Sequence, residues 1–189
     1  MKRSIIAILV GTVVLFVYQA MSWMVLPIHN NSFMYTSRQD SILATLSGLE
    51  EGYYSLPGKA PGTTDEEHHK NMESMNGKPW AMVHYHHSFS MNMGPSMLRG
   101  FSINLIAVWI VVMILSSAAG VFNTFRSRLW VSLLFAIFCI TQSNLMDWNW
   151  FETPMHYTSG AVIDKLLGWL LTGSWLAWYM GRKQAGASE

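Results

Sequence analysis

Four long apolar runs constrain the fold of this chain more than any other feature. Residues 5–26, 103–122 and 129–146 contain no charged side chain, and residues 161–180 contain only one Asp-Lys pair near their start. A hydrocarbon core of about 30 Å is crossed by roughly 20 apolar residues in helical form. The runs therefore predict an all-α membrane protein with four transmembrane helices.

The composition agrees with a chain that lies mostly in a bilayer. Apolar residues make up 51% of the sequence and charged residues only 12%, with nine Trp and seven Tyr. Tryptophan and tyrosine are enriched where membrane proteins meet the lipid headgroups. The net charge of +1 and the scattered basic residues disfavour nucleic-acid binding.

Basic residues in the short flanks predict the orientation of the spans. Lys2, Arg3, Arg126, Arg128 and Arg182 border the apolar runs at three separate places. Because short loops rich in Lys and Arg stay in the cytoplasm, both termini are expected there. The first run is longer than a cleaved signal peptide needs, which favours an uncleaved signal anchor over a cleaved signal. The predicted organisation is a first transmembrane helix at 1–26, a periplasmic cap at 27–100, transmembrane helices 2–4 at 101–180 and a cytoplasmic tail at 181–189.

The segment between the first two spans is long enough to fold as a small cap, which we expect to be mainly helical or irregular. One helical pattern in it ends at Gly52. Thr64 and Glu67 have the spacing of a capping box, which predicts the start of a second helix. Residues 53–62 have the glycines and prolines of a turn-rich connection, and residues 80–89 are extended or ambiguous.

Histidine and methionine are concentrated in the second half of this cap. In an extended segment His84 and His86 point to the same face, and the thioethers of nearby methionines favour copper over zinc. The alternative is that the histidines are solvated and the methionines pack the cap. The predicted copper ligands are His84, His86, Met91 and Met93, with His68 and Met72 of the preceding helix as further donors.

Polar side chains near the outer ends of the spans form a second candidate site. Lipid offers such groups no partner, so they normally face a bundle interior or a wet cavity. We expect a hydrogen-bonded layer or a small ligand site beneath the cap. The alternatives are that Asp164 pairs with Lys165 or caps a helix, and that the hairpin between spans three and four serves only as an aromatic anchor. The candidate residues are His29, Gln142, Asn144, Asp147, His156 and Asp164.

Several segments also resemble one group of proteins. SWMVLPIHN at 22–30, GYYSLPG at 52–58, WNW at 148–150 and DKLLGW at 164–169 are similar to segments of an uncharacterised group of bacterial four-span inner-membrane proteins. The resemblance implies a multi-pass protein of the bacterial inner membrane. The group has no established activity, so the resemblance transfers no catalytic residue.

The motifs that the chain lacks narrow its function. It contains no G-x-S-x-G, G-x-G-x-x-G, G-x-x-x-x-G-K or H-E-x-x-H, so a non-enzymatic role is favoured. The least demanding hypothesis is an accessory or structural subunit that presents its His/Met-rich cap to a larger membrane complex. Its partners would be the lipid bilayer and other membrane subunits or further copies of itself. The alternatives are a copper-binding or copper-delivery protein facing the periplasm, and a small oligomeric channel or transporter.

Overall fold

A computed structural model describes residues 2–182 of the chain, and most of the predicted cytoplasmic tail lies outside the described residues. The fold is mostly helical, with 67% of the residues in helices. A 3₁₀ turn at Pro27–His29 follows the first helix, and a π-helical turn at Ile140–Asn144 joins two of the later ones. The elements are α1 (Lys2–Met24), α2 (Gln39–Leu46), β1 (Gly52–Leu56), α3 (Asp65–Ser74), β2 (Ala81–Tyr85), α4 (Gly94–Ser117), α5 (Phe125–Cys139), α6 (Leu145–Phe151) and α7 (Met155–Gly181).

Three helical stretches are long and apolar enough to cross a membrane: α1, α4 and the continuous stretch Phe125–Phe151. The prediction of a mostly helical chain with membrane-spanning segments is confirmed to that extent. The fourth apolar run does form a helix, the 27-residue α7. Asp164 and Lys165, together with tryptophans, glycines and hydroxyl side chains, lower the mean hydropathy of α7, so its place as a fourth span is a proposal.

The chain divides into two compact units. The helical unit comprises the described residues up to Met34 and those from Asn92 onward, and the sheet unit comprises Tyr35–Met91. In the helical unit α7 packs against α1 and α5, and α4 packs mainly against α1. Its core is built from aliphatic side chains of all four long helices, including Leu15, Val108, Val131 and Leu176.

Glycines of α7 set how closely the neighbouring helices approach it. A Cβ on Gly168 would lie 3.0 Å from Leu15 of α1, and one on Gly173 would lie 2.6 Å from the Cβ of Ser132 on α5. Close backbone approach over small residues is a common way for membrane helices to pack. The small-residue face of α7 is therefore used inside the chain's own bundle.

Four of the five arginines in the described helical unit gather at one end, called here the Arg3 end; Arg99, near the start of α4, lies apart from them. The Arg3 guanidinium donates to the carbonyl of Tyr179 and lies 5.3 Å from that ring. Arg128 is 5% exposed and donates to a backbone carbonyl 3.0 Å away. Arg182 lies 4.4 Å from the Trp178 ring. Backbone carbonyls and aromatic faces thus accommodate these charges.

The sheet unit contains the two antiparallel strands, paired from Gly52 with Tyr85 to Leu56 with Ala81. Its α3 begins with the predicted capping box: Glu67 N donates to the Thr64 hydroxyl, and Thr64 N donates to the Glu67 carboxylate. This local pattern needs no distant partner, which explains why the sequence identified it.

Two predictions for this segment were wrong in detail. The first helix ends at Leu46, before Gly48 with its φ of 93°, and does not reach Gly52. The segment expected to be turn-rich begins with a strand, β1. The strand forms because β2 supplies its hydrogen-bond partners, and β2 lies in the segment 80–89 that the sequence predicts only as extended or ambiguous.

Candidate functional site

His29 is held in a fixed position just after α1. The 3₁₀ turn begins with Pro27, whose ring restricts φ, and it ends at His29. The imidazole stacks on Trp23 with ring centroids 3.7 Å apart and an interplanar angle of 4°. It is 8% exposed, and its Nδ1 lies 3.2 Å from the Ser32 hydroxyl. This turn packs closely on α7 because Gly160 has no side chain; a Cβ there would lie 3.3 Å from Nδ1.

The other imidazole nitrogen faces Asp164 of α7. His29 Nε2 lies 3.9 Å from Asp164 Oδ2, with the two side chains 5% and 13% exposed. Tyr18 lies close enough to interact with both Asp164 and Ser22. We call Tyr18, Ser22, His29, Ser32 and Asp164 the His29 cluster. Its members come from α1, from the segment that follows α1 and from α7. They are distant in sequence and meet only in the folded chain.

Four atoms of the His29 cluster are buried without a hydrogen-bond partner of normal geometry among residues 2–182. They are Tyr18 Oη, Ser22 Oγ, His29 Nε2 and Asp164 Oδ1. Buried polar groups in folded proteins are usually paired with protein or with ordered water. Two hydroxyls, an imidazole and a carboxylate converge here, so the cluster has the chemistry to hold water or a small polar ligand.

Lys165 follows Asp164 in sequence but contacts a different element. Its Nζ donates to Asn144 Oδ1 and lies 3.4 Å from the Ser143 hydroxyl. Both partners belong to the π-helical turn, where an extra residue shifts the side-chain positions relative to a regular helix. Asp147 lies within electrostatic range of the Lys165 ammonium. One of the two amides predicted at this level, Asn144, therefore contacts another helix.

A third polar contact joins α1 and α4. Asn104 is 6% exposed, and its Nδ2 donates to Gln19 Oε1 over 2.7 Å. Together with the His29 cluster and the Lys165 contacts, it gives α1, α4, α7 and the π-helical turn after α5 at least one polar side-chain contact with another element.

Some of the predicted residues lie outside these contacts. Gln142 and His156 are exposed and make none of them, and Asp147 is exposed and lies only within electrostatic range of Lys165. Among residues 2–182, no group of three or more His, Cys, Asp or Glu side chains is placed to hold a metal ion. The structure thus brings His29 to Asp164 but does not assemble His29, Asp147 and His156 around a cation. Sequence reasoning missed Tyr18 and Ser22, although their spacing of four residues places them on one helical face.

Three histidines of the sheet unit lie at one end of the strand pair: His84, His86 and His87. His84 packs on its cross-strand partner Tyr53, with ring centroids 4.1 Å apart. His86 Nδ1 lies 3.9 Å from Glu51 Oε1. Alternate residues of β2 share a face, so Met82 lies on the same side as His84. The other two predicted ligands, Met91 and Met93, lie beyond β2 and are 86% and 63% exposed.

The sheet unit also has a groove of about 760 Å³ between α3 and the segment that leads to β2. Of the two copper ligands predicted on α3, Met72 lines this groove and His68 does not. The histidine that lines it is His69. Residues 69, 72, 73 and 76 follow the i, i+3, i+4, i+7 spacing of one helical face, which explains the difference. The groove is lined by Pro57, His69, Met72, Met75, Pro79 and Trp80, among others.

Comparisons with protein-family models, curated proteins and solved structures find no match for this chain.

Proposed function

We propose that the chain is a four-span protein of the bacterial inner membrane, with both termini in the cytoplasm and the sheet unit in the periplasm. Its function in this proposal is that of an accessory or structural subunit, which presents the sheet unit to a larger membrane complex. The helical unit is the anchor, and the sheet unit is the part that a partner contacts.

One observation carries the accessory role: none of the residues 35–91 is buried within this chain. Helix α2 has no buried residue, and its Ile42 and Leu43 are 48% and 60% exposed. Phe89 is 92% exposed. A unit of this size that buries so little apolar surface gains little stability from its own core. Exposed apolar side chains of this kind mark surfaces that another protein or the membrane covers, and the accessory role assigns this surface to a protein.

The distribution of charge supports the proposed orientation. Four of the five arginines in the described helical unit, all except Arg99, occupy the Arg3 end, which fits the cytoplasmic side. The carboxylates of the described helical unit, Asp147, Glu152 and Asp164, belong to the opposite end, with His29. In this orientation the His29 cluster lies near the periplasmic surface.

The surroundings of α7 support its place as a fourth span. It packs along both α1 and α5, which belong to stretches apolar enough to cross a membrane. Its two charged residues near the His29 cluster have partners inside the unit, His29 for Asp164 and Asn144 for Lys165. Charged side chains within membranes are found in such paired, inward-facing positions.

The topology is tested by cysteine labelling in intact cells, in a Cys139→Ala background. A cysteine at Thr63 should react with a membrane-impermeant reagent, and one at Asn123 should react only after the cells are opened. The reverse pattern would refute the proposed orientation and place the sheet unit in the cytoplasm.

The accessory role is tested by hydrogen exchange. Backbone amides of α2 and β2 should exchange more slowly in native inner-membrane vesicles than in the chain purified alone in detergent, because a bound partner slows exchange. Amides of the α4 core are the internal control and should be protected in both samples. If α2 and β2 exchange equally fast in both samples, no partner covers the sheet unit and the accessory role fails.

Copper binding by the sheet unit is a second candidate function, favoured by the shared face of Met82 and His84 on β2. His86 follows at the same two-residue spacing. Imidazole and thioether donors suit copper. Copper content is measured in the purified chain and in a His84→Ala/His86→Ala variant, with His87→Ala/His156→Ala as the matched control. Equal copper in all three proteins would exclude this face as the site.

A further inference from the structure

We propose that the groove beside α3 binds a single Cu(I) ion through His69, Met72 and Met75, with the indole of Trp80 beside the ion. The proposal deepens the second candidate function, copper binding by the sheet unit. It rests on different donors from the His84 face, so either site can fail while the other stands.

The local fold brings these side chains to one groove. Met72 follows His69 by three residues along α3, and Met75 is the C-cap residue of that helix. The chain then reverses at Gly77, whose φ is 78°, a conformation that glycine adopts without strain. Pro79 leads into Trp80 on the far side, and all of these residues line the groove. One helix end and one turn thus place the donors and the aromatic ring around the same groove.

The donor set selects the metal. Two thioethers and one imidazole are neutral, and thioethers are soft ligands that favour Cu(I) over Zn²⁺. A monovalent cation beside an indole ring also gains cation–π attraction, for which tryptophan is the best aromatic side chain. The set contains no thiolate, so it withstands the oxidising conditions of the periplasm better than a cysteine site would.

Glu73 supplies the interaction that metal-binding histidines commonly have on their second nitrogen. Its Oε1 lies 3.3 Å from His69 Nε2, one helical turn along α3. A carboxylate that accepts from one ring nitrogen fixes the tautomer and directs the other nitrogen to the metal. The ligating atom is therefore His69 Nδ1. The lining of the groove also contains one carboxylate, Glu73, and one ammonium group, Lys78. The His69 and Glu73 side chains are well exposed, which leaves the groove accessible to an incoming ion.

The test is an anaerobic titration of the full-length chain in detergent, in which the protein competes for Cu(I) with a chromogenic Cu(I) chelator. Met72→Leu/Met75→Leu keeps the size and apolar character of the groove but removes both thioethers. Met34→Leu/Met155→Leu is the matched control, since these methionines are 84% and 54% exposed and do not line the groove. We expect the groove variant to bind Cu(I) at least roughly tenfold more weakly, and the control to bind like the wild type. Glu73→Gln should weaken binding by about tenfold, the usual scale for a group that orients a ligand.

X-ray absorption at the copper edge supplies a second readout. The wild type should show sulfur in the copper coordination shell, and the groove variant should not. Wild-type affinity in the groove variant, or a loss confined to the His84→Ala/His86→Ala variant, would overturn the groove site while leaving copper binding by the sheet unit intact. A wild type that does not compete with the chelator would overturn both.

Discussion

Replacing Gly173 with alanine should weaken the packing of α7 on α5. The new Cβ would lie 2.6 Å from Ser132 Cβ, 3.1 Å from its Oγ and 3.2 Å from Leu129 Cδ1. Ser132 is fully buried, and its Cβ is fixed by the α5 backbone. A rotamer change therefore cannot relieve the shortest contact, and the helices must move apart.

The magnitude follows from two opposing effects. Overpacking of a well-packed interior costs about 1–3 kcal/mol, whereas glycine to alanine in a helix gains up to about 1 kcal/mol. Gly100→Ala separates the two effects, since Gly100 lies in α4 and has no atom within 4 Å of its would-be Cβ. Both variants gain the same helix propensity from the change of glycine to alanine. The difference between their unfolding free energies therefore reports the clash alone. We expect Gly173→Ala to be less stable than Gly100→Ala by about 1–3 kcal/mol.

The assay is unfolding by increasing fractions of sodium dodecyl sulfate in mixed micelles, followed by circular dichroism. A swapped pair provides a further check, because Ser132→Gly removes the Cβ with which the new methyl group at position 173 collides. The double variant Gly173→Ala/Ser132→Gly should be more stable than the sum of the single changes predicts, by roughly 0.5–3 kcal/mol. If Gly173→Ala and Gly100→Ala have the same stability, α7 and α5 do not pack in the manner described.

Two further predictions concern hydrogen bonds that the structure describes. Asn104→Leu should lower the stability of the helical unit by about 1 kcal/mol in the same assay, because it leaves Gln19 without its partner; the exposed Gln142→Leu is the control, and an equal loss in both would contradict the prediction. Backbone and side-chain hydrogen bonds with Thr64 hold the pKa of Glu67 below its ordinary value of 4.5. The ionised carboxylate should therefore stabilise α3 above pH 4.5 and lose this effect as the pH falls through the lowered pKa. The protection of α3 amides, which is their intrinsic exchange rate at a given pH divided by the observed rate, should therefore be lower at low pH. Thr64→Ala should reduce that pH dependence of the protection; an unchanged pH dependence in Thr64→Ala would show that the capping box does not set it.

Features that depend on neighbouring residues could be predicted without a structure. The uncharged runs predicted α1, α4 and the stretch Phe125–Phe151, because the length and hydropathy of a segment are properties of that segment alone. The capping box at Thr64 and Glu67 was equally local: both partners lie within one helical turn. Polar residues near the span ends predicted contacts between helices, since lipid cannot satisfy them.

The identity of the partners depended on the folded arrangement of the helices. Asp164 and Lys165 are adjacent in sequence, yet the first faces His29 and the second donates to Asn144. A helix turns by about 100° per residue, so neighbours point to different elements, and no local pattern shows which element lies on which side. The same rotation placed His69 in the groove in place of His68.

Long-range pairing accounts for the remaining differences. The Gly- and Pro-containing segment after residue 52 becomes strand β1 only because β2, far along the chain, supplies its hydrogen bonds. Judged from the sequence alone, the small-residue face of α7 could equally have packed against another protein. It packs against α1 and α5 because Gly168 and Gly173 lie opposite Leu15 and Ser132. Hydropathy and caps act within a few residues and can be read directly, whereas contacts between distant side chains exist only after the backbone has brought them together.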